Sequence, residues 1–156
     1  MTIRLRPHHL LCMLTYIGKG YSPDFTRNYD AIAARIGAGE ALEVVDGPDD
    51  ICRPLLATPN PHCYNDSVVE RDRQAAADVA ALLGRTIESG VTLLLDTTEI
   101  TRLRTQFAAG SIRTACAGCE WKSLCDGIAA DGFRGVRVAS REPHREQPLG
   151  NPPPGL

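Results

Sequence analysis

Three cysteines stand within ten residues late in the chain, Cys116, Cys119 and Cys125, in a C-x2-C-x5-C array that uses half of the six cysteines in 156 residues. The two-residue spacer lets a pair of thiolates converge on one centre, and Gly118 between them lets the backbone come close to the sulfurs. The longer spacer brings Cys125 back after one or two turns, with Trp121 and Leu124 available as an apolar wall against water. This is the chemistry of a metal centre. The competing reading is a set of inert buried thiols, since free cysteine is among the most buried residue types. Three thiolates do not close a four-coordinate site. A fourth ligand has to come from elsewhere, and Cys63 and Cys52, on a proline-rich stretch, are the natural suppliers, Cys63 first. His62 is an alternative donor, although a surface histidine before a turn is the simpler reading.

The spacing also bears on the metal. Structural zinc commonly shows two similar cysteine pairs, and here there is one. Iron–sulfur clusters accept irregular spacings and distant ligands, so an iron–sulfur cluster is favoured over zinc. The array is similar to the core of the auxiliary-cluster domain of peptide-maturing radical enzymes, which binds a [4Fe–4S] cluster, and the likeness implies that cluster type here. That likeness covers ten residues, and no cysteine follows Cys125 to supply the later ligands of that domain.

A second constellation lies near the start. His8 and Cys12 are four apart and His9 and Cys12 three apart, so either pair can share a helical face as ligands or as a thiolate with its base. Leu10, Leu11, Met13 and Leu14 surround Cys12, which makes a core filler the plainer role.

The elements that must position these groups read as mostly α with a minor sheet of two or three strands, an α+β arrangement. Pro7 and residues 8–17 form an apolar first helix stopped by Gly18. Ser22-Pro23-Asp24 opens a second, with Phe25, Tyr29, Ile32 and Ile36 at helical spacing up to Gly37. Residues 42–45 and 91–95 are strand candidates able to pair, and residues 132–138 are a last one. Residues 51–66 carry turn formers and no periodicity, a loop long enough to need an anchor such as a metal. Ser67 with Glu70 resembles a capping box for a helix to Leu83, and Asp96 to Glu99 cap another that carries Ile100, Leu103 and Phe107. Residues 111–126 are expected to be helical in pieces. One domain over 1–140 and a disordered, proline-rich tail over 141–156 complete the reading.

Length and composition set bounds on function. A domain of this size buries roughly 70% of its unfolded surface, so an ordinary core is within reach. With 17 basic against 19 acidic residues, the chain has no field to attract a phosphate backbone, which argues against nucleic acid. No window reaches the length of a membrane span. The run 10–17 resembles a signal peptide only superficially, because His8 and His9 interrupt it and no small-residue cleavage site follows. A cytoplasmic protein with reduced thiols is therefore expected.

Arg4 to Cys12, Gly18 to Ser22, Asp46 to Cys52, His62-Cys63, Ser67 to Asp72 and the late triplet, in that order, resemble the bacterial family called domain of unknown function 1284. The resemblance spans residues 3 to about 138. It implies that the His8 to Cys12 segment and the loop cysteines belong to one recurring site, which raises Cys12 as a ligand or cluster neighbour. Three functions follow from these residues. The first is an iron–sulfur protein that carries electrons to a partner protein or senses iron and oxygen, with Cys63, Cys116, Cys119 and Cys125 as ligands. The second is a zinc-stabilised binding module. The third is an enzyme with an open-site cluster, assisted by His9 or Asp72 as acid or base, although Asp72 reads most simply as a surface helix acid. No phosphate loop, nucleophile elbow or His-Glu-x-x-His run supports an ordinary catalytic class.

Overall fold

The computed structural model describes residues 2–54 and 66–138. The chain begins with strand β1 (Ile3–Leu5), a short helix α1 (His9–Cys12) and helix α2 (Pro23–Gly37), then strand β2 (Leu42–Val44). Helix α3 (Asp66–Leu83), strand β3 (Thr92–Leu93), helix α4 (Thr97–Ala109) and helix α5 (Lys122–Ala130) follow, with a 3-10 turn at Thr114–Cys116. The expected α+β class with a minor sheet is what forms.

The sheet order is β1-β2-β3. Strand β2 is central, parallel to β1 and antiparallel to β3, with Ile3 opposite Leu42 and Leu42 opposite Leu93. Ile3, Leu5, Leu42, Val44 and Leu93 are all buried, so alternation fixes which face meets the core. The pairing of residues 42–45 with 91–95 holds, in shortened form. Strand β1 carries no turn signal and alternates over three residues only; it pairs because α2 forms the long crossover that parallel strands require.

Helix α2 starts as its sequence dictates. Ser22 Oγ accepts from the Phe25 amide at 3.1 Å, Pro23 occupies the first turn, and Phe25, Tyr29, Ile32 and Ile36 are buried. Helix α4 has a full capping box between Asp96 and Glu99 and ends at Gly110 in the left-handed conformation.

Three expectations need correction. Residues 8–17 do not form one helix, because α1 ends at Cys12. Beyond it, Leu14 and Thr15 make tighter bonds to Leu11 and Cys12, and Thr15 and Tyr16 turn to tertiary partners: Thr15 Oγ1 donates to Cys125 Sγ, and the Tyr16 carbonyl accepts from Arg137 N. Residues 132–138 are not a strand. Gly132, Phe133 and Gly135 all have positive φ, and the Phe133 ring is held against Phe107 and under Arg104. Ser67 lies inside the first turn of α3 rather than before it. The proposed tail and Cys63 with His62 fall outside the described residues. Among those described, no helix is long and apolar enough to cross a membrane.

Candidate metal centre

Four elements bring the chemistry-bearing residues to one cavity of about 150 Å³. Helix α1 supplies His8, His9 and Cys12; the turn after β2 supplies Cys52; α3 supplies Arg71; and the segment from the 3-10 turn into α5 supplies Cys116, Cys119 and Cys125. All five described cysteines line this cavity, and none is in a disulfide. Trp121 and Leu124 also line it, in the wall position expected of them.

The sulfurs form one side. Cys119 N donates to the Cys116 carbonyl at 3.0 Å, closing a turn in which Gly118 has a φ of 77°. A side chain there would have space but not the backbone conformation. The turn is tied to α3 by Arg71 Nη2, which donates to the Gly118 carbonyl, and by Asp78, which accepts from Thr114 N. Trp121 N–H donates to Cys119 Sγ at 3.4 Å, and Thr15 Oγ1 donates to Cys125 Sγ at 3.1 Å. Burial pushes the Cys12 thiol well above its ordinary range, and the nearby Cys119, Cys125 and Cys116 push it further. Burial also raises Cys125, against the bond from Thr15. A metal taking these sulfurs therefore has to displace protons, which makes its binding pH-dependent.

The other side is built from carboxylates. Asp49, with its side chain fully buried, accepts from Arg6 N at 2.7 Å and His9 Nδ1 at 2.6 Å through Oδ2, and from Ile51 N and Cys52 N through Oδ1. Asp72 accepts from Arg6 Nε at 2.9 Å, His8 N at 3.1 Å and His8 Nδ1 at 2.6 Å. Burial alone would raise both acids; for Asp49 the charge and bond of His9 outweigh it, and for Asp72 the bonds from His8 and Arg6 do, so both stay ionised. Burial pushes His8 down to about 4, with the His9 charge adding to the effect and Asp72 opposing it. His8 is thus a neutral imidazole donating Nδ1–H to a carboxylate. Because a carboxylate only accepts, His9 likewise directs Nδ1–H to Asp49, and both rings line the cavity. Carboxylate-oriented imidazoles of this kind are the usual support for metal ligation or proton transfer.

His9, Asp49 and Cys52 also bring one candidate ligand atom each within 4.8 Å of one another, a grouping able to hold a metal ion. Both Asp49 oxygens already accept two hydrogen bonds each, so within that group Asp49 serves as the partner that orients His9. Cys52 is buried and interacts with Arg6.

A model of the family described as protein of unknown function (DUF1284) matches residues 20–125. The chain belongs to this family. The matched segment ends on Cys125 and contains Asp49, Cys52, Asp72, Cys116 and Cys119, whereas His8, His9 and Cys12 precede it. No curated protein and no solved structure matches the chain.

The fold of this DUF1284 member brings five of its six cysteines to one cavity. Cys116, Cys119 and Cys125 share a cavity with Cys12 and Cys52, and Cys63 lies outside the described residues. Asp72 is not a surface acid: at 9% exposure it anchors Arg6 and His8. In the sequence Asp49 stands only within the Asp46 to Cys52 stretch that carries the family resemblance. An acid with backbone amides two and three positions on is the local signal for its bonds to Ile51 N and Cys52 N, but nothing local announces Arg6 or His9.

Proposed function

We propose that this protein holds an iron–sulfur cluster, [4Fe–4S] in type, on Cys12, Cys116, Cys119 and Cys125, and works by electron transfer to a partner protein or by sensing iron and oxygen in the cytoplasm. The observation that carries this reading is the shared cavity, in which a thiol from the first helix meets the late triplet across more than a hundred residues. A tetrahedral zinc with Zn–S bonds of about 2.3 Å needs its sulfurs about 4 Å apart. Among the described residues no three of these sulfurs lie mutually within 4.8 Å, and the only such trio is His9, Asp49 and Cys52. Wider separation around a cavity of about 150 Å³ favours a multi-atom inorganic core. Cys12 replaces Cys63 as the first choice of fourth ligand because its thiol is coupled to all three of the others, whereas Cys52, on the same cavity, interacts with Arg6.

Single serine substitutions test the ligand set. Cys12→Ser is expected to abolish or sharply reduce bound metal after anaerobic purification, whereas Cys52→Ser retains it. Retention by Cys12→Ser with loss in Cys63→Ser would return the fourth position to the loop. The zinc reading has one observation in its favour, the compact His9, Asp49 and Cys52 group. It predicts one equivalent of zinc, lost in Cys52→Ser, and indifference to oxygen.

A further inference from the structure

Two of the four sulfurs already have a hydrogen-bond donor within the chain, Cys119 from Trp121 N–H and Cys125 from Thr15 Oγ1. Two buried polar groups on the same cavity have none to give to. The Tyr29 hydroxyl, on a residue 5% exposed, makes no hydrogen bond, although its ring is fixed by stacking on Tyr16 at 3.7 Å and 4°. Arg113 is fixed too: Nη1 pairs with Asp126, and the guanidinium lies 4.1 Å above the Phe107 ring. Its Nε and Nη2, the edge suited to a two-point contact, are buried without a hydrogen bond.

A buried donor left unpaired costs about 1–3 kcal/mol, and a charged one more, so such donors mark a missing acceptor. The acceptor chemistry can be read from the neighbours. The other two of the four ligand sulfurs are Cys12 and Cys116, and each faces one of these groups electrostatically: Cys12 acts on Tyr29, and Cys116 is the leading favourable partner of the Arg113 charge. A protonated thiol accepts weakly. A thiolate or an inorganic sulfide accepts strongly, and a charge-assisted bond is roughly twice as strong as a neutral one.

We infer that Tyr29 and Arg113 complete a set of donors to the sulfur ligands and thereby raise the reduction potential of the bound cluster. The inference rests on the iron–sulfur reading above. Donors to sulfur withdraw electron density and stabilise the more negative, reduced state, so removing one makes reduction harder. Both side chains act through the sulfurs and are positioning residues, not catalytic ones.

The test is a redox titration of the full chain loaded anaerobically with ferrous iron and sulfide, comparing wild type with Tyr29→Phe, Arg113→Gln and Arg113→Lys. Tyr29→Phe keeps the stacked ring, so it remains informative if an Arg113 variant fails to fold. The expected result is a lower midpoint potential for Tyr29→Phe and Arg113→Gln at wild-type iron content, with Arg113→Lys between Arg113→Gln and wild type. Loaded variants titrating at the wild-type potential overturn the inference and leave the cluster reading intact, as does a Tyr29→Phe variant that folds but takes up no iron. A wild-type chain that takes up neither iron nor sulfide overturns both.

Discussion

The two sides of the cavity differ in how far the chain completes them. On the carboxylate side, Asp49 and Asp72 together accept from the backbone or side chains of Arg6, His8, His9, Ile51 and Cys52, and both acids are saturated by the protein itself. On the sulfur side, burial raises the Cys12 and Cys125 thiols, and the Tyr29 hydroxyl and the Nε and Nη2 of Arg113 make no hydrogen bond. A region that meets its own hydrogen-bonding needs is a scaffold. A region that does not is where a ligand contributes the remaining interactions. The difference assigns folding stability to one wall and ligand chemistry to the other, and substitutions can separate them.

The largest effect is expected from Asp49→Asn. An amide presents one acceptor oxygen to donors that now share two, and His9 loses its buried carboxylate partner, so the loss of stability should be about 3–5 kcal/mol by urea denaturation. A loss under 1 kcal/mol would break the comparison by showing that this wall is dispensable.

Acid should weaken the same wall. His8 has its folded pKa lowered from 6.5 to about 4, so its neutral form is the one the fold favours. Its contribution is fully present above pH 6.5 and is lost as the pH falls towards 4, because the unfolded chain binds the proton first. The shift corresponds to roughly 3 kcal/mol. Asp49 and Asp72, both held below the usual carboxylate range, extend the loss to still lower pH. Denaturation midpoints across pH 4–7 check this, and a flat profile in that window would place His8 in solvent.

A position outside both walls calibrates them. Ser22→Ala removes the cap of α2, the helix that carries Phe25 and Tyr29 to the cavity, and should cost about 1 kcal/mol with no change in bound metal. The smallest effect belongs to the sulfur wall under chelation. There Cys119→Ser, at a partly exposed position, should change stability by less than about 0.5 kcal/mol. Without the chelator, the wild type should be the more stable by whatever its metal contributes. A large loss in both conditions would make Cys119 a packing residue.

How far the sequence revealed this arrangement depended on the range of each interaction. Helices α2 and α4 were legible because Ser22, Pro23, Asp96, Glu99 and the spacing of their apolar residues act within a few positions. The late triplet was legible for the same reason. Strand β1 and the early end of α1 were not, since the first needs β2 as its partner and the second is set by Thr15 reaching Cys125, 110 residues away. Asp72 looked like a solvent acid because a helix pattern says nothing of Arg6 and His8 waiting across 64 to 66 positions. The family resemblance joined the His8 to Cys12 segment with the loop cysteines; of these, Cys52 lines the same cavity and Cys63 lies outside the described residues.

Everything on the sulfur side depends on what the thiols bind. The direct measurement is iron, zinc and acid-labile sulfide per chain in protein isolated without oxygen. Iron and sulfide are expected in equal amounts, about four of each per chain, with no stoichiometric zinc. One equivalent of zinc without sulfide, or thiols that bind no metal, would contradict the iron–sulfur reading.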